Sequence, residues 1–391
     1  MKLNHFLWLS FLCFSQAQAF KLPDQEISSY ECGKTCDELS HEPMHLEWNI
    51  NDQNFKHPLR NLQKSYGYKK KATLEELRKG VVVNTLAPRA IIRISPISGS
   101  HVPILRLETK SHSLSFQEAS SLYSRDEAFA DADYDQNHHT VLQLKEELGA
   151  GQFKLVTDEQ SISTDETFVI SVFDKYSNAY LTVETNKDEY KLNDKIIATI
   201  TLNDTLDYPV KDVFASIVAP NGDSIPLNLT KTKSNQYKGS AQLHSKKNDF
   251  GANWYVEAAI SAWFGDQLIT RQGHAAFSYS IPSAKLIEIE KVSTQPLNFK
   301  AMVNVANNSR YALQSVLYYK DSQGKFHPLS TSQTANWFTS GKHALEFTFD
   351  KNIYKQYDQQ SLYLGYFHLV DYGQLKTVYH YDEPVKLSEL G

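Results

Sequence analysis

Beyond residue 80 the chain is written in short runs where apolar and polar residues alternate, separated by Gly, Pro, Asn and Asp. A period of two marks a half-buried strand, and turn signals at roughly 8–12-residue spacing mark an all-β sandwich. Val81–Val83, Ala90–Ile94, Pro103–Leu107, Leu142–Leu144, Phe153–Val156 and Phe168–Phe173 read as strands of a first domain. Two short helices interrupt them. Thr73-Leu74-Glu75-Glu76 and Ser115-Phe116-Gln117-Glu118 are capping boxes, in which the hydroxyl and the carboxylate satisfy opposite ends of the first turn. Gly80 stands where the first helix should stop, and the second is expected to run to about Phe129.

After Asp174 the alternation becomes denser, with Tyr180–Val183, Ile196–Leu202 and Val213–Val218 as examples. In Trp254–Ala262 the face carrying Trp254, Val256, Ala258 and Ile260 is expected inward. A weak internal repeat overlies this texture. Val218-Ala219-Pro220-Asn221-Gly222, followed by Pro226-Leu227, resembles Tyr319-Lys320-Asp321-Ser322-Gln323-Gly324, followed by Pro328-Leu329, 102 residues later. That offset is close to the length of an Ig-like sandwich, about 100 residues. Ile281-Pro282-Ser283 is the natural joint. The expected fold is therefore mainly β. An N-terminal β-sandwich-like domain with two short helices (20–175) precedes two tandem Ig-like β-sandwich domains (176–283 and 284–391).

Residues 1–19 read as an address. Lys2, the apolar run Phe6–Phe14 and Ala17-Gln18-Ala19 form a secretory signal peptide with cleavage expected after Ala19. The run is too short to span a bilayer, and no later segment approaches eighteen consecutive apolar residues. The mature chain is thus expected to be secreted by way of the periplasm, without a transmembrane segment. Cleavage removes Lys2 and shifts the formal charge from −5 to −6, a balance that excludes a dedicated nucleic-acid binder. A hydrophobic fraction of 41% against 22% charged residues excludes disorder. Of three cysteines, Cys32 and Cys36 remain, and in an oxidising compartment they pair around Gly33-Lys34-Thr35. Three intervening residues, against two in the thioredoxin motif, favour a structural bridge over a redox one.

Two strings invite a chemical reading. His41-Glu42-Pro43-Met44-His45 satisfies H-E-x-x-H, which holds zinc only on a helix that brings both imidazoles to one face. Pro43 sits inside that turn and pushes Glu42 out of the helical region, while Leu46, Trp48 and Ile50 alternate as in a strand. Two surface histidines is the better reading. Asp131, Asp133 and Asp135, followed by His138 and His139, open like a calcium loop. Gln136 and Leu142 occupy the positions where an EF-hand needs Gly and Glu, so an EF-hand is excluded. A looser Ca²⁺ site and a solvated acidic loop both remain open. The chain has no G-x-S-x-G elbow, no Walker loop and no complete G-x-G-x-x-G.

Ala90-Ile-Ile-Arg-Ile-Ser95, Leu148-Gly-Ala-Gly-Gln-Phe-Lys-Leu155, Leu181-Thr-Val-Glu184 and Tyr190-Lys-Leu-Asn-Asp194 form one set of family-like phrases. Asn308-Ser-Arg-Tyr311, Val316-Leu-Tyr-Tyr319 and Leu369-Val-Asp371 form another. Together they resemble a family of Gram-negative secreted proteins built around a domain of unknown function, whose members include type II secretion substrates of Legionella-like intracellular bacteria. The resemblance implies export across both membranes and exposure to host material. It carries no catalytic residue. The function expected is that of a non-enzymatic, monomeric binding or effector protein without a cofactor, recognising a host or envelope protein or glycan. The alternative is a metal-dependent hydrolase in the N-terminal domain with the Ig-like units as accessories.

Overall fold

In the computed structural model, residues 19–32, 34–50, 62–98, 101–125, 139–160, 165–204 and 208–391 are described. The expected signal segment up to Gln18, and Asp131, Asp133, Asp135 and His138, lie outside the described residues. The described chain is mainly β, in antiparallel sheets. It divides into two compact units. One takes the described parts of Met1–Pro58, His244–Ala252 and Tyr279–Gly391, and the other those of Leu59–Leu243 and Asn253–Ser278.

The second unit opens with a five-stranded sheet, in the order Gly67–Thr73, Thr167–Phe173, Ile91–Pro96, Thr140–Leu144 and Ser120–Arg125. A four-stranded sheet of Val81–Thr85, Gly151–Val156, Arg106–Glu108 and Ser113–Ser115 completes this part. Inward residues of both form one core: Ile92, Ile94, Leu142, Phe168 and Ile170 meet Val83, Leu107, Phe153 and Leu155. The Thr73 capping box forms as expected and starts the helix Leu74–Lys79, which Gly80 ends at φ +96°. The Ser115 box also forms, but its helix is only Phe116–Ala119. Ser120 Oγ turns back to the carbonyl of Gln117, and Ser120–Arg125 continues as a strand paired with Thr140–Leu144. Serine-rich sequence with little helix propensity gives way there to sheet hydrogen bonds.

Further along this unit, Tyr180–Thr185, Lys195–Asn203 and Gln236–Gln242 pair in one sheet, and Val210–Val218, Trp254–Phe264 and Gln267–Ser280 in another. Trp254, Val256, Ala258 and Ile260 are all buried, as their alternation predicts.

In the other unit, Leu286, Phe299, Val303 and Phe347 of one sheet and Leu313, Leu317, Leu364 and Phe367 of a second share a core. The segment Phe20–Asn49, which the sequence places with the first domain, belongs here. Phe20–Lys21 pairs with Ala284–Thr294, and Met44–Asn49 pairs with Phe326–Phe338. The repeated glycine turns are built alike. Gly222 N–H donates to Ala219 O and Ala219 N–H to Asp223 O, and Gly324 N–H donates to Asp321 O and Asp321 N–H to Lys325 O. Both glycines have φ +85°, a conformation that strains any residue with a Cβ.

The Cys32–Cys36 disulfide is present, with its Cα atoms 5.7 Å apart. Its loop is so short that chain-entropy reasoning assigns it only about 2 kcal/mol. A Cys32→Ser variant is therefore expected to lose no more than that in urea unfolding. Cys36 is buried beside the Tyr30 and Ser309 hydroxyls, which donate to Asp371, a carboxylate with no cationic partner among the described residues. Asp371 accepts from Tyr30 Oη (2.9 Å), Ser283 Oγ (2.5 Å) and Gln374 Nε2 (3.1 Å) on one oxygen. Its other oxygen accepts from Ser309 Oγ (2.6 Å) and Gly373 N–H (2.9 Å). Burial, then the Asp371 charge, pushes the Tyr30 hydroxyl far above the usual phenol range, and Tyr311 follows for the same reasons.

Burial also pushes Tyr68, Tyr318 and Tyr379 up to about 12. A phenol whose folded pKa is raised contributes stability in full below its ordinary value of 10.0 and loses it as pH climbs through about 12. The urea midpoint should therefore hold up to about pH 10 and fall above it. A midpoint that stays level through about pH 12 would contradict the burial of these phenols.

Candidate binding cleft

In the unit formed by Leu59–Leu243 and Asn253–Ser278, a cleft of about 980 Å³ opens beside the sheet of Val210–Val218, Trp254–Phe264 and Gln267–Ser280. Cross-strand register sets out its residues in rows. Phe214 faces Ala259, which faces Gln272, and Ser216 faces Glu257, which faces His274. These positions alternate with the buried Ala215, Ile217, Val256 and Ala258, so the period of two that fills the core also places them on the opposite face. Lining from elsewhere in the unit comes from Lys64, Tyr68 and Lys69, from Ser171 and Phe173, and from Asn228 after the short strand Ser224–Pro226. Phe214 is 67% exposed and Phe173 42%, so two aromatic side chains are left wet in a structured cleft.

Hydrogen bonds fix this frame. Gln272 spans the cleft wall like a short extra strand, accepting from Lys69 N–H (2.8 Å) and donating to Lys69 O (3.2 Å). Ser65 Oγ donates to Gln272 O (2.5 Å). Tyr68 Oη accepts from Asn84 N–H at 2.9 Å. One residue before Gln272, Arg271 is wholly buried and donates to Asp174 at 2.7 Å, to Ser177 Oγ and to Ala179 O. Asp174 also accepts from the amides of Leu86 and Ala87. Burial lowers the Arg271 pKa, and the Asp174 charge and hydrogen bond oppose that shift.

In the row Ser216–Glu257–His274 the carboxylate lies between the other two, which puts the serine and histidine two strands apart, roughly 10 Å. That is well beyond the reach a base needs to activate a hydroxyl. Lys64 lies over the Tyr180 ring at 4.8 Å.

The sequence-level candidates fall elsewhere. His41 stacks on Trp337, with ring centroids 4.1 Å apart, and Arg310 Nη1 donates to the carbonyls of Ser40 and Glu42. His45 stands on the strand Met44–Asn49 and residues 41–43 form no helix, so the H-E-x-x-H string is not helical, as its proline predicts. Asp131, Asp133, Asp135 and His138 lie outside the described residues, and His139 directly precedes the strand Thr140–Leu144. Among the described residues no group of three or more His, Cys, Asp or Glu is arranged to hold a metal ion. No described helix is long and apolar enough to cross a membrane. Arg271 escaped the sequence reading, although a signal exists: it falls in phase with the buried Ile269 and Phe277, so a charge stands on an inward face.

Residues 35–174, 177–280 and 283–388 match the N-terminal, central and C-terminal domains of a domain of unknown function, DUF4785. None of the curated proteins matches the chain in sequence. The crystal structure of a DUF4785 family protein from Legionella pneumophila is similar at 46% identity and a TM-score of 0.81, over 94% of this chain and 99% of that one. The native α-2-macroglobulin of Escherichia coli aligns at 11% identity over 72% of this chain and 19% of its own, with a TM-score of 0.29. A Salmonella α-2-macroglobulin mutant aligns at 13% identity over 83% and 20%, with a TM-score of 0.27. Neither of these two distant alignments carries an argument. With all three domain descriptions matched in order and a solved relative at 46% identity along nearly its whole length, the chain belongs to the DUF4785 family.

Proposed function

We propose that the protein is an exported, non-enzymatic binding protein that recognises a protein or glycan through the cleft beside Phe214. The observation that carries this reading is the pair of wet aromatic rings, Phe173 and Phe214, set among lysine, amide and hydroxyl groups in a hydrogen-bonded frame. Exposed aromatics cost solvation unless something covers them, and a few convergent polar groups supply orientation. Export by way of the periplasm is supported by the Lys2–Ala19 segment and the Cys32–Cys36 pair. The link to type II secretion rests on the family resemblance. Fractionation of cells and culture supernatant tests it: accumulation in the supernatant is expected, and retention in the cytoplasm would contradict export.

Binding is tested by probing glycan and peptide arrays with the labelled protein. A specific signal that falls at least tenfold in a Phe214→Ala variant is expected, because truncating a central aromatic anchor typically costs about 1–2 kcal/mol or more. Phe214 is exposed, so the variant should keep the wild-type melting temperature. The hydrolase alternative rests on Asp131–His139, of which only His139 is described, and no observation favours it.

A further inference from the structure

The strand Met44–Asn49 lies at the end of its sheet, paired on one side with Phe326–Phe338. Ile50 N–H donates to Leu329 O, Thr334 Oγ1 to Met44 O and Ser330 Oγ to Trp48 O. Even-numbered residues therefore turn their peptide groups towards the neighbour, and His45, Glu47 and Asn49 turn theirs to the edge with which no other described strand pairs. Such edges are ordinarily guarded by lysines, prolines, bulges or cover. Two other edges are guarded in this way: Thr230–Lys233 carries Lys231 and Lys233, and the Lys69 backbone is capped by Gln272. Met44–Asn49 contains no lysine, arginine or proline, and its register runs without a shift from Met44 opposite Ala335 to Asn49 opposite Ser330. It leaves Leu46 and Trp48 exposed at 50% and 43%.

The order of side chains along this edge is self-complementary. About Leu46 the strand reads Met44, His45, Leu46, Glu47, Trp48. Laid antiparallel on a second copy with the two-fold axis at Leu46, each Leu46 meets the partner's Leu46. Met44 then stands opposite the partner's Trp48, and His45 opposite the partner's Glu47, whose carboxylate also accepts from Ser330 Oγ and the Asp350 amide of its own chain. Sliding the pair by two residues one way sets Glu47 against the partner's Glu47, like charges that are unfavourable when directly opposite, and sliding it the other way breaks the Leu46 pair and sets Trp48 against the partner's Glu42. We propose that two copies of this chain associate through their Met44–Asn49 strands, joining two sheets into one. The interface is isologous, and the amides and carbonyls of His45 and Glu47 supply its hydrogen bonds. This departs from the monomer expected from the sequence.

Sedimentation velocity of the purified protein and two variants tests the proposal. The wild type is expected at dimer mass at high micromolar concentration. Leu46→Lys puts two ammonium groups on the axis and is expected at monomer mass with unchanged circular dichroism. Leu46→Cys gives a second, independent measurement. The Leu46 pair is of the non-hydrogen-bonded kind, with Cα atoms about 4.5 Å apart, inside the disulfide range. Mild oxidation should cross-link Leu46→Cys into a covalent dimer and leave Met44→Cys, which faces Trp48, uncross-linked. A monomeric wild type, a dimer that survives Leu46→Lys, or equal cross-linking of the two cysteine variants would overturn the proposal.

Discussion

Replacing Asp174 by Ala is expected to cost about 3–5 kcal/mol of unfolding free energy, the range for breaking a buried ion pair from one side. Both side chains of the Asp174–Arg271 pair are fully shielded from solvent. Without the carboxylate, Arg271 keeps its charge in a dry site, and the amides of Leu86 and Ala87 lose their acceptor. The same argument predicts partial recovery in an Asp174→Ala, Arg271→Met double variant, which removes the stranded charge as well. Urea unfolding of the wild type, both single variants and the double variant measures this. Loss of less than about 1 kcal/mol in Asp174→Ala, the scale of a surface pair, would refute the burial on which the argument depends.

The second large effect belongs to Asp371. Its Ala variant strands the Tyr30, Ser283 and Ser309 hydroxyls in the interior and takes one of their acceptors from Gln374 Nε2 and the Gly373 amide. At about 1–3 kcal/mol for each buried group left unsatisfied, a loss of at least about 3 kcal/mol is expected after partial rearrangement. Asp371→Asn keeps the shape but presents an NH₂ to donors, so it should also destabilise, by a smaller amount. Gly373→Ala is a steric counterpart. A Cβ there would run into Tyr30 Oη, Cys36 Sγ and Ser309 Oγ, all packed within the same cluster. Because Tyr30 and Cys36 lie on the N-terminal segment, the variants should also raise hydrogen exchange over residues 28–38. Wild-type protection there would mean that the segment is held by other contacts.

The strand texture was legible because burial on one face writes itself directly into a period of two. Trp254, Val256, Ala258 and Ile260 needed no further information, and the Asn-Gly and Gln-Gly turns disclosed their shared geometry through the residue that tolerates positive φ. The Ser115 helix shows where local signals stop. A capping box states where a helix begins, and its length depends on whether a neighbouring strand competes for the same backbone. Pairing of Phe20–Lys21 with residues 288–289 is not encoded in any local pattern, because two residues carry no periodicity. The cleft was hidden for a related reason. Its residues are the polar positions of separate strands, and each looks like ordinary solvated surface until register brings Phe214, Gln272 and Lys69 together.

Hydrogen–deuterium exchange with and without the best array ligand tests the binding assignment most directly. Ligand-dependent protection is predicted in residues 213–216, 226–229 and 272–274, with its loss in Phe214→Ala. Protection confined to residues outside the cleft, or no ligand-dependent protection at all, would contradict it.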